Sequence, residues 1–161
     1  MTRQRIQTLR EAIRGPSEVW LGMRMVMWSA VLPVLKHLVP MHVLTRWMWP
    51  RRRSSPRPER VLAITFLARR IYRARYFVRG DNCLERSLLT YRYLAMEGMD
   101  PKLVLGASKS DEQIRGHAWV MLNGEPLMDG NEKLEQFTPL TEFGADGSRT
   151  YSTPDPSTPS V

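Results

Sequence analysis

The chain has 161 residues, of which 42% are apolar; this suffices for one domain with a buried core and is short for two. Its single cysteine excludes an internal disulfide and fits a reducing, cytoplasmic setting. The net charge of +8 is unevenly placed: residues 1–80 hold 17 Lys and Arg against 3 Asp and Glu, a net +14, whereas residues 81–161 hold 7 against 13, a net −6.

Residues 1–15 read as a basic helix, with Ile6, Leu9 and Ile13 on one face, closed by Gly15-Pro16. Ser17 is a candidate cap for a second helix from Glu18 to about Leu32, which Pro33 is expected to end or kink. This helix is apolar nearly all round, through Trp20, Leu21, Met23, Met25, Val26, Met27 and Trp28. A buried core helix is the first reading, and a groove-binding or membrane-surface helix is the second. A transmembrane span is not expected. Arg24 and Lys36 bracket an uninterrupted run of only 11 residues, against the ~20 a bilayer needs. Nor does a small-residue cleavage site follow, as a signal peptide requires.

His37 to Trp49 reads as a short, partly helical apolar segment. Pro50 to Pro58 is a basic, proline-studded linker. Arg51, Arg52 and Arg53 read as solvated loop charge, and without interleaved aromatics they imply no nucleic-acid partner. Glu59 to Val78 has strong helical periodicity, with Val61, Ile64, Leu67, Ala68 and Ile71 on one face and Arg69, Arg70, Arg73 and Arg75 on the other.

Cys83 then stands where a loop becomes a helix. Gly80, Asp81 and Asn82 are turn and cap formers, Leu84, Leu88, Tyr91 and Ala95 recur at helical spacing, and Gly98 is a plausible stop. The first turn of a helix favours a thiolate, the nucleophilic form. A lone cysteine is also, more simply, a small buried apolar residue. Downstream, His117 opens the strand-like run His117–Leu122, and Asp129 follows an Asn123-Gly124 turn. Cysteine, histidine and carboxylate are the parts of a thiol hydrolase, in which the histidine handles the proton and the carboxylate orients its ring.

Lys102–Ala107 reads as a strand, Ser108–Gly116 as a polar loop, His117–Leu122 and Glu125–Asp129 as two further strands, and Gly130–Thr141 as irregular or a short strand. Strand parity constrains the pair His117 and Asp129. A regular two-residue hairpin sets Asp129 opposite Ala118 and so on the face away from His117. A bulged hairpin sets it opposite Trp119, on the shared face, and Pro126 argues against a regular ladder; a bulged hairpin is therefore expected. There is no phosphate-cradling loop, no HExxH and no CxxC, so neither a metal nor a cofactor is implied.

Asn82-Cys-Leu-Glu-Arg-Ser-Leu88, the Leu-Val-Leu-Gly strand, His117-Ala-Trp-Val120, the Asn-Gly turn and Asp129 together resemble a transglutaminase-like, papain-related core over about residues 59–130. More closely, they resemble the leader peptidases of bacterial lasso-peptide biosynthesis. The resemblance implies an α+β fold in which the cysteine helix packs on a small antiparallel sheet, preceded by N-terminal helices. With the composition, it divides the chain into a basic, Met- and Trp-rich helical region 1–58 and a transglutaminase-like catalytic core 59–143. From Gly144 the apolar content is too low to fold, and a disordered tail 144–161 is expected. It implies Cys83 as nucleophile, His117 as base and Asp129 as its orienting carboxylate. The substrate it implies is a ribosomal precursor peptide, presented by a leader-binding protein and later closed by an ATP-dependent cyclase. Members often carry Glu where this chain has Met121, so that position is not expected to be essential here.

The Cys83 N–H at the helix start is a natural half of an oxyanion hole, with Asn82 and Arg79 as candidates for the other half. Arg79 also reads as solvated loop charge. Trp119, on the same strand face as His117, either walls the site or fills the core. Three functions compete: leader peptidase, amide transferase, and a non-enzymatic helper binding a partner or membrane surface.

Overall fold

The computed structural model describes residues 16–79, 82–110 and 113–151; the side chains of residues 16, 75–79, 110, 131 and 133 also lie outside the description. The basic helix expected over residues 1–15 therefore lies outside the described residues. Helices α1 (Pro16–Leu38), α2 (Met41–Met48), α3 (Val61–Arg79) and α4 (Cys83–Met96) precede strands β1 (Lys102–Ser110), β2 (Gln113–Leu122) and β3 (Glu125–Pro126). A single helical turn α5 (Asn131–Leu134), then β4 (Thr138–Phe143) and β5 (Arg149–Tyr151), complete an α+β fold. The sheet order is β3-β2-β1-β4-β5, and every pairing is antiparallel.

Helix α4 is the hub. Nine of its fourteen residues are buried, among them Leu88, Leu89, Tyr91, Tyr93 and Leu94 with essentially no exposure. Each such side chain contributes on the order of 1.5–3 kcal/mol of hydrophobic stabilisation. Around it pack Met25 and Leu32 of α1, Leu44 and Met48 of α2, Ile64 and Ala68 of α3, and Leu103, Val120 and Phe143 of the sheet. The Ser87 hydroxyl donates to the Ala118 carbonyl at 2.9 Å, pinning α4 to β2 beside His117.

Several expectations need correction. Pro33 does not end its helix; α1 runs on to Leu38. Only one face of α1 is buried, through Leu21, Met25 and Leu32, while Val19, Trp20, Met27 and Leu38 are exposed. By length and composition alone Ser17–Leu38 passes for a membrane-crossing helix, as core helices also can, which leaves the expectation of no transmembrane span standing. Its buried face packs on the core, and Lys36 pairs with Glu85 at 2.8 Å. The linker over residues 50–58 is not simply solvated. Arg53 donates to the Ala95 and Met99 carbonyls, and the Ser54 N–H and hydroxyl both donate to Met96, so the linker closes the C-terminal end of α4. Gly98, at φ +79, fits the turn between them.

The polar stretch 108–116 is not a loop. Strands β1 and β2 pair from Lys102↔Met121 out to Ser110↔Gln113, so Ser108–Ser110 and Gln113–Gly116 form a ribbon. That ribbon is largely exposed on β2, and without a buried face it lacks the apolar alternation that signals a strand. The tail does not begin at Gly144 either. Residues 145–147 form a turn and Arg149–Tyr151 pair with β4, backbone hydrogen bonds supplying what apolar content does not. Residues 152–161 lie outside the described residues.

Candidate active site

Cys83 is the first residue of α4 and is half-buried, where backbone N–H groups point out of the helix start. The preceding Asn82 makes no side-chain cap; its Nδ2 donates instead to the Tyr72 carbonyl of α3 at 3.2 Å. That bond ties the approach to Cys83 onto α3 and uses one of the two Asn82 amide hydrogens. Arg79 closes α3, and its side chain, like Gly80 and Asp81, lies outside the described residues.

His117 and Asp129 meet, but not through a bulged hairpin. Leu122 pairs with Glu125 and Met121 with Pro126, a regular two-residue connection in which Asn123 (φ 53) and Gly124 (φ 85) both take positive φ. Pro126 is tolerated because the Leu127 N–H bonds the Val120 carbonyl at 3.0 Å, which leaves 121–126 a non-hydrogen-bonded pair on an edge strand. The ladder then stops and residues 127–129 bend, so alternation no longer governs Asp129. The irregularity lies in β4 instead: Leu105 pairs with Thr141 but Gly106 with Pro139, which leaves Leu140 as a bulge.

Two arginines hold the bend. Arg69 of α3 donates to the Met128 carbonyl, and Arg86 of α4 pairs with Asp129 at 3.0 and 3.4 Å. Asp129 Oδ2 lies 3.4 Å from His117 Nε2, an ion-pair contact at the limit of hydrogen-bond range between two nearly buried side chains. With Nε2 turned to Asp129, Nδ1 is the ring nitrogen left for Cys83. The His117 pKa is raised from 6.5 to about 9, chiefly by Asp129 and next by the Cys83 side chain, against burial, which acts downward. The structure thus brings Cys83, His117 and Asp129 together, with His117 holding its proton at neutral pH.

Rings enclose the imidazole. Phe137 stacks at 4.9 Å and Trp119 at 6.1 Å, and Trp119 is itself 5% exposed, so it serves both core and site. Gly106 stands opposite His117, and a Cβ there would come within 2.7 Å of the Trp119 ring and 2.8 Å of the Thr138 carbonyl oxygen.

Sequence reasoning assigned no role to Arg86, Arg69, Phe137 or Gly106. Arg86 carried a signal, since it falls one helical turn after Cys83, where a cation beside a thiol site asks for a carboxylate. Phe137, in an irregular segment, carried none.

The profile of the transglutaminase-like superfamily matches residues 26–142, most of the chain. The chain belongs to that superfamily. The match takes in α1 from Val26 onward, so the superfamily core is wider than the span 59–130 suggested by its motifs. Neither a curated protein nor a solved structure matches the chain. Superfamily membership, with the thiol, imidazole and carboxylate in one place, points to cysteine-peptidase or amide-transferase chemistry.

Proposed function

We propose that the protein is a cysteine peptidase that removes the leader from a ribosomally made precursor peptide, in the manner of lasso-peptide maturation. The observation that carries the reading is the buried chain Arg86–Asp129–His117 beside Cys83 at the start of α4. The Cys83 sulfur attacks the scissile carbonyl carbon, and the N–H groups of the helix start face the resulting oxyanion. Collapse breaks the C–N bond as His117 gives its proton to the leaving amine. His117, now neutral, takes a proton from water as the hydroxide adds to the thioester. Expulsion of the sulfur with its electron pair releases the acid, which loses its proton to solvent, and leaves the imidazole charged by the proton it took from water. Asp129 keeps the ring aligned through both steps.

The exposed apolar face of α1, with Trp20 at 58% and Leu38 at 74% exposure, lies in the half of the chain that carries the net +14. It supports docking of the leader-binding protein that presents the precursor, with the ATP-dependent cyclase acting afterwards. The test is reconstitution in the cytoplasmic pH range with precursor peptide, with and without the leader-binding protein, read by mass spectrometry. Cleavage between leader and core that needs Cys83 and rises with the partner supports the proposal. A product carrying an added primary amine in place of the new carboxylate would move the assignment to amide transfer.

A further inference from the structure

At the far end of α4 from Cys83, the last turn of α2, residues 49–53 and the turn at 145–147 enclose a groove of about 900 Å³. Its walls carry Arg46, Trp47, Trp49, Arg51, Arg53 and Arg92, with Asp146 as the one carboxylate among them. Arg53 is answered by Asp100 at 2.7 Å, but none of the described ion pairs involves Arg46, Arg51 or Arg92. Three arginines thus face one acid.

The walls are built rather than loose. Arg92 donates to the Trp47 and Met48 carbonyls and lies 4.3 Å from the Trp28 ring centre, and its Nε is buried with no partner. Arg53 lies 4.8 Å from the centre of the Trp49 ring, which leans on Tyr91. The 145–147 turn sits so close to α2 that a Cβ on Gly147 would come within 2.6 Å of the Arg46 backbone nitrogen. Trp47 is 57% exposed. Arg53 and Arg92 are held beside indole faces, and Arg46 and Arg51 stand exposed at the rim without a described ion pair. Arginines short of counter-charge beside indole rings are the make-up of an anion-binding surface.

We infer that this groove is a binding site for an acidic peptide segment, engaged at a distance from the reacting bond. Carboxylates would pair with Arg46, Arg51 and Arg92, while apolar residues between them would lie on Trp47 and Trp49. Asp146 speaks against a continuous polyphosphate and tolerates a peptide, whose N–H groups it can accept. Arg92 follows Cys83 by nine residues of helix, or ~14 Å along the axis. An extended peptide covers that span in about four or five residues. That the segment belongs to the peptidase's own substrate rests on the proposed function; that the groove binds acidic peptide does not.

The test uses the full chain carrying Cys83→Ala, so that binding is read without turnover. The probe is a fluorescein-labelled peptide of alternating Glu and Leu, followed by anisotropy at low and physiological salt. Arg46→Glu combined with Arg51→Glu is expected to weaken binding about tenfold or more. Arg70→Glu combined with Arg73→Glu, on the exposed face of α3, should change it less than about twofold. A Gln-for-Glu probe should bind poorly, and so should an oligothymidylate of equal charge. Equal losses from both arginine pairs, equal binding of the Gln probe, or tighter binding of the oligothymidylate would each overturn the inference. Absence of peptidase activity from the parent chain in reconstitution, with groove binding intact in the Cys83→Ala chain, would separate failure of the functional reading from failure of this one.

Discussion

Arg86 and His117 share one carboxylate: Asp129 Oδ2 lies 3.0 Å from Arg86 Nη2 and 3.4 Å from His117 Nε2. The arginine fixes the acid and at the same time draws off part of its charge. Arg86→Gln should therefore act in two opposed ways. Asp129, 6% exposed, is left less firmly held, which lowers kcat/KM by ~10–100-fold through misalignment of the ring. It also destabilises the fold by about 2 kcal/mol, as a nearly buried acid loses one of its two charged partners and keeps His117. The remaining carboxylate then acts on His117 alone and raises its pKa, so the alkaline limb of the pH profile moves upward. A rate loss with an unmoved or lowered limb would show that Arg86 serves only the fold.

The pH dependence of the parent protein follows from the same contact. His117 must carry its proton to release the amine, and its pKa is raised to about 9. Activity should therefore fall as pH rises through about 9. For stability, the raised value means that the folded state holds this proton more tightly than the unfolded chain, whose histidine titrates near 6.5. The stabilisation is complete below about pH 6.5 and is lost progressively as pH climbs through about 9. Asp129→Asn removes the largest contribution, so both limbs should shift toward neutrality. Rate profiles and thermal melts across pH 6–10 read the two effects separately.

Substitution at the three central residues should separate chemistry from folding. Cys83→Ala and His117→Ala should each leave a folded protein that does not cleave its precursor, and Asp129→Ala should retain a trace. Asp129→Asn should be the mildest of the four, since the amide keeps some orientation of the ring. The readout is cleavage of the reconstituted precursor beside a circular dichroism melt. Wild-type cleavage by Cys83→Ala would end the hydrolase reading.

What could be seen in the sequence depended on the range of the interactions. The α3 and α4 helices, the start of α4 at Cys83 and the β2–β3 turn rest on local signals: 3.6-residue periodicity, turn formers before Cys83, and Asn123-Gly124. The register error came from carrying strand parity to Asp129, four residues past Glu125. Parity holds only while the ladder lasts, and here Arg69 and Arg86 take over after Leu127. These partners come from 59 and 43 residues away along the chain, so no local pattern marks them. The order in residues 145–151 was missed for a similar reason. It comes from edge pairing with β4 and from the Tyr91 hydroxyl donating to the Gly144 carbonyl at 2.5 Å.

Gly106 offers a last test, because it lies opposite His117 without touching the chemistry. A methyl group there would come within 2.7–2.8 Å of the Trp119 six-membered ring and 2.8 Å of the Thr138 carbonyl oxygen. Both distances are far inside van der Waals contact, so ring or strand must move. Trp119 is 5% exposed and has little room to move, and its ring stacks at 6.1 Å on His117. Gly106→Ala should therefore destabilise the fold by about 1–3 kcal/mol, the usual cost of overpacking, and lower kcat by displacing the imidazole. Trp119→Phe in the same chain removes the atoms that collide and should restore part of the loss in both stability and rate. The recovery is partial because the Thr138 carbonyl remains in the way. Additive losses in the double variant, measured by chemical denaturation and by turnover, would mean that strain against the Thr138 carbonyl dominates and that Trp119 does not couple Gly106 to the site.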